Sequence, residues 1–84
     1  MKMNVKEVVK FTGRCKTVVY DHIGKIRLMD ETFAYDENGD TYFSTVELAA
    51  YKKMLETIDI TRSILKGIVA LFKTLGKYEY LNDK

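Results

Sequence analysis

The chain has 84 residues, enough for one small domain with a thin core. Its 46% hydrophobic and 31% charged residues are ordinary for a globular protein and argue against disorder. No apolar run approaches the roughly 20 residues that span a membrane. Met1 to Lys10 alternates charge with valine, unlike a secretory signal. A single cysteine cannot form an internal disulfide, so a cytoplasmic setting is expected.

Cys15 and His22 are too few for a structural zinc site, which takes about four Cys or His ligands. Cys15 is expected as a small buried hydrophobe and His22 as a flanking or partner-facing residue. No metal and no cofactor are expected. The net charge of +2 is unevenly placed. Residues 1–27 hold seven basic residues and two acids, residues 28–59 two and eight, and residues 60–84 five and two. A basic end facing a polyanion and an acidic middle facing away fit that distribution, as do plain solvated faces.

The stretch NVKEVVKFTG, residues 4–13, predicts a short first helix. Asn4 is an N-cap with Glu7 three residues on, Val5, Val8 and Val9 form the apolar stripe, and Gly13 suits the left-handed position after a helix. A second helix is predicted from about Cys15 to Ile23, ended by Gly24, with Cys15, Val19 and Ile23 on one face. The opposite face carries Arg14, Thr17, Tyr20 and Asp21. Two short helices joined by a tight glycine turn suit a helix-turn-helix, and equally an ordinary helical hairpin.

TFAYDENGDTYFS, residues 32–44, reads as a β-hairpin turning at Asn38-Gly39. That register sets Tyr35 opposite Tyr42, Asp36 opposite Thr41 and Glu37 opposite Asp40. Ser44 and Glu47 form a capping box for a third helix whose apolar face is Leu48, Tyr51, Leu55 and Ile58. Asp59 is expected to cap a fourth helix over about Ile60 to Leu75, closed by Gly76. Its stripe runs through Ile64, Ile68, Leu71, Phe72 and Leu75, longer than a compact domain needs. Leu71, Phe72 and Leu75 are therefore expected to serve self-association.

The expected fold is mainly α with a small β-hairpin, in a single domain over 1–84. The order of elements from about residue 4 to residue 72 resembles the winged helix-turn-helix domain of MerR-type regulators, an architecture shared by small phage and plasmid excisionases. The motif NGDTYFSTVEL carries the likeness: Asn38, Gly39, Tyr42, Phe43, Ser44, Glu47 and Leu48 fit the family's wing and following helix. Thr41 stands where the family has a basic residue, and the wing tip is acidic. Nothing after Tyr80 resembles an effector domain or a long dimerisation helix, so no small-molecule effector is implied.

That resemblance implies a sequence-specific double-stranded DNA-binding protein, a small transcription regulator or an excisionase-like recombination accessory. The helix at 15–23 would enter the major groove. Arg14 and Lys16 would contact guanine or phosphate, Thr17 and Tyr20 bases or phosphate, Lys25 and Arg27 the backbone, and Tyr35 and Tyr42 phosphate from the wing. A homodimer or cooperative assembly on DNA is expected of so small a module. The alternative is a protein-interaction module on the same fold, an anti-repressor or a phage protein that binds another regulator, which the acidic middle favours. No catalytic constellation appears at usable spacing, and the chain is not expected to be an enzyme.

Overall fold

The computed structural model describes residues 2–35 and 38–76. In chain order these form β1 (Lys2–Asn4), α1 (Val5–Thr12), α2 (Lys16–Arg27), β2 (Tyr42–Ser44), α3 (Thr45–Thr61) and α4 (Ile64–Thr74). The chain divides into two units, residues 1–47 and 48–84, with α3 beginning in the first and continuing through the second. The architecture is mainly helical with one two-stranded antiparallel sheet. No helix among the described residues is long and apolar enough to cross a membrane.

In the first unit α1 starts as its sequence predicts. The Asn4 side chain accepts from the Glu7 N–H at 2.9 Å, and the Glu7 carboxylate accepts from the Asn4 N–H at 2.9 Å. Val5 and Val8 are buried. Gly13, at φ 74°, closes the helix and donates its N–H to the Val9 carbonyl at 2.9 Å. α2 then continues through Gly24 to Arg27, past the expected stop. A glycine within a helix costs about 0.5–1 kcal/mol, whereas full burial of Ile26 two residues later contributes about 1.5–3 kcal/mol. Packing therefore outweighs local propensity. The buried stripe is Val19, His22, Ile23 and Ile26. His22 is thus inside rather than on a flank, and Cys15 is exposed rather than buried. Cys15 is the N-cap of α2, where an extended backbone turns its side chain away from the stripe, and its thiol makes no capping bond.

The expected hairpin is replaced by a different pairing. β2 runs antiparallel to β1, with Lys2 opposite Ser44, Met3 opposite Phe43 and Asn4 opposite Tyr42. The Thr32 to Tyr35 stretch is a turn rather than a strand. Asp30 accepts from the Thr32 N–H at 3.2 Å and hydroxyl at 2.7 Å, and the Phe33 N–H donates to the Asp30 carbonyl at 3.1 Å. Ala34 lies in the left-handed region at φ 62°. Among the described residues an isolated bridge, Tyr35 to Thr41, is what the hairpin ladder retains, one residue off the expected Tyr35–Tyr42 register. The expected partners Asp36 and Glu37 lie outside the described residues.

That turn is held from two sides. The Glu47 carboxylate accepts from the Ser44 N–H at 2.9 Å with one oxygen and from the Ala34 N–H at 2.8 Å with the other. The Ser44 hydroxyl accepts from the Glu47 N–H at 3.1 Å, completing the capping box. Arg27 donates from Nε to the Phe33 carbonyl at 2.9 Å and from a terminal nitrogen to the Ala34 carbonyl at 3.0 Å. The Phe33 ring, brought inward by the turn, meets Phe43 edge-on at 5.5 Å.

In the second unit α3 runs on to Thr61, past the expected cap at Asp59. Arg62 breaks the helix in the left-handed region at φ 59°, and Ser63 caps α4 by accepting from the Lys66 N–H at 3.2 Å. Ile60 consequently belongs to α3 and is exposed. Gly67 faces α3: a Cβ there would lie 2.6 Å from Ile58 Cγ1 and 3.1 Å from Met54 Cγ. Leu71 and Phe72 are fully buried within the chain and Leu75 is half-buried. Burial removes Leu71 and Phe72 from the expected self-association surface; both are core.

Glu47→Ala is expected to cost about 1–3 kcal/mol in chemical denaturation, because it leaves the Ala34 N–H without its acceptor as well as removing the cap. Unchanged stability would show that the carboxylate is dispensable. Gly67→Ala should lower the melting temperature despite the better helix propensity of alanine, because overpacking typically costs about 1–3 kcal/mol. A rise in melting temperature would mean that α3 and α4 do not approach as closely as described.

Candidate nucleic-acid interface

Eight residues carry the expected interface, and the structure sorts them by whether the fold uses them. Arg27 is taken by the turn: besides the Phe33 and Ala34 carbonyls it lies 3.5 Å from the Thr41 hydroxyl, and its guanidinium stacks 3.6 Å above the Tyr35 ring. Arg27 and Tyr35, placed on the expected interface separately, are thus one internal clamp. Lys25 is paired with Asp21 one turn before it at 2.8 Å, and that ammonium holds the Asp21 carboxyl below its usual range. Arg14, at the turn between the helices, is half-buried. Arg14, Lys25 and Arg27 do not join Lys16 into one free positive patch.

Lys16, Thr17 and Tyr20 are different. They lie in the first half of α2 and are exposed. None has a hydrogen-bond or ion-pair partner among the described residues. Lys16 and Tyr20 line an open cleft of about 330 Å³ together with Asn4, Val5 and Lys6 of the first helix start and with Asp40, Thr41 and Tyr42. Tyr42 of the expected wing therefore lines the same cleft as Lys16 and Tyr20 of α2. The cleft holds two ammonium groups, two phenol rings and one carboxylate.

Lys6 was not singled out by sequence reasoning. Its signal was available: Lys6 follows the Asn4 cap by two residues, a first-turn position where the helix dipole disfavours a cation. Among the described residues no three His, Cys, Asp or Glu side chains come together as a metal site. No family model matches the chain, and no curated protein or solved structure matches it at a significant level.

His22 lies directly behind this face. Burial holds its imidazole below the ordinary value of 6.5, with Asp21 opposing the shift and Lys25 and Arg14 adding to it. The folded state therefore favours neutral His22, and stability present above the unfolded pKa is lost as pH falls toward the folded one. Denaturation midpoints should decline as pH is lowered from about 6.5, the ordinary histidine value. His22→Gln should flatten that decline, and an equal decline in the variant would place its source elsewhere.

Proposed function

We propose that the chain is a small sequence-specific double-stranded DNA-binding protein, a transcription regulator or excisionase-like accessory factor built as a winged helix-turn-helix. α1, the Gly13 turn and α2 are the helix-turn-helix, and the segment leading into β2 is the wing. One observation carries the proposal: Lys16, Thr17 and Tyr20 stand exposed on the first half of α2, immediately after a tight turn from α1, and the fold makes no use of them. A helix entering the major groove reads base edges with its N-terminal residues. A lysine and a hydroxyl there supply a donor to guanine and a two-way group for either base. Tyr42 across the cleft adds a hydroxyl suited to phosphate.

Affinity of one such module is modest, so dimerisation or cooperative assembly on repeated sites belongs to the proposal. Leu71 and Phe72 cannot serve it. Among the described residues of the second unit, Ile60 and Leu65 are strongly exposed apolar side chains, at 82% and 67%. A second reading, a module that binds another protein, is favoured by Leu28 at 85% exposure beside Met29 at the end of α2.

Titration of duplexes selected from a random pool decides between them. Lys16→Ala and Tyr20→Ala should each weaken the selected duplex by about 1–3 kcal/mol while the melting temperature holds, whereas Leu28→Ser should leave DNA affinity unchanged. No enrichment in the selection, or wild-type affinity in both α2 variants, would contradict the DNA reading.

A further inference from the structure

Lys6 and Lys16 occupy matching places. Lys6 stands in the first turn of α1 and Lys16 opens α2, and both line the cleft. A cation in a first turn faces the positive end of the helix dipole, so each lysine sits where helix electrostatics disfavours it. Neither ammonium has a partner among the described residues that would offset this. Two such cations opening onto one cleft favour an anion there.

The cleft's other groups narrow the anion. Tyr20 and Tyr42 supply phenol hydroxyls, neutral donors that suit phosphate oxygens. Asp40 is the single carboxylate on the lining, so two lysines leave the cleft net positive. Sites for small molecules are concave and mostly apolar, whereas this cleft is open and polar. An open cleft suits a phosphate that belongs to a longer strand and is held at further points along it.

We infer that the cleft seats a phosphodiester of the DNA backbone between Lys6 and Lys16, with Tyr20 and Tyr42 donating to its oxygens. The inference rests on the DNA-binding proposal and adds to it a second helix: α1 holds the strand whose bases α2 reads. Lys6 then fixes position without carrying sequence information.

The test measures binding of a short mixed-sequence duplex and of a selected duplex from about 50 to 200 mM salt. Lys6→Ala should weaken both duplexes alike, roughly tenfold at about 50 mM salt, and lower the slope of log affinity against log salt by about 1. Lys10→Ala, on the same helix but off the cleft, should change neither affinity nor slope comparably. Both variants should melt with the wild type, since neither side chain is buried. If Lys6→Ala behaves like Lys10→Ala while the wild type binds DNA, the cleft assignment is overturned and the DNA reading stands. If the wild type binds neither duplex at low salt, the DNA reading fails and takes the cleft with it.

Discussion

The Glu47 carboxylate accepts from the Ser44 N–H with one oxygen and, with the other, from the Ala34 N–H thirteen residues before it. A helix cap is ordinarily a local device. Here the same group starts α3 and fixes a turn whose central residue takes up a left-handed backbone that alanine adopts only under constraint. Arg27 supplies the other half of that constraint from α2, through the Phe33 and Ala34 carbonyls. With Ala34 fixed, its carbonyl also accepts from the Tyr42 N–H at 3.0 Å, which leads the chain into β2. The position of Tyr42 on the cleft thus depends on a glutamate and an arginine that never touch the cleft.

This division of labour decides which charges remain for binding. A count of basic residues near α2 treats Arg14, Lys16, Lys25 and Arg27 as equals. Arg27 serves the turn, Lys25 serves a helical pair with Asp21, and Arg14 is half-buried. Lys16 is left over, and Lys6, from the helix on the other side of the Gly13 turn, lines the same cleft. The basic surface is smaller than composition suggests and is drawn from two helices rather than one.

Much of the fold was legible because its signals are local. Both capping boxes, the left-handed Gly13 and the valine stripe of α1 follow from residues three or four apart. The errors arise where burial or a competing hydrogen bond overrides the local signal. Gly24 reads as a stop until the burial of Ile26 is known. Thr32 to Tyr35 reads as a strand because nothing in those residues announces that Asp30, Arg27 and Glu47 will hold them as a turn. β1 is three residues long and is defined only by its pairing with β2. At the α3–α4 junction two capping residues competed, and the apolar period beginning at Ile60 pointed to Asp59 although Ser63 makes the cap. The candidate interface was half legible: Thr17 and Tyr20 follow from helical spacing and Lys16 from its place at the start of α2, whereas Lys6 required the cleft.

We propose that one surface, made by the starts of α1 and α2 and by Tyr42, receives duplex DNA. Amide chemical-shift mapping of the isotope-labelled protein during titration with a selected duplex tests it most directly. The account predicts that the largest shifts cluster at Val5, Lys6, Lys16, Thr17, Tyr20, Thr41 and Tyr42. Shifts centred on Leu28 and Met29, on residues of α4, or nowhere at saturating duplex would contradict it.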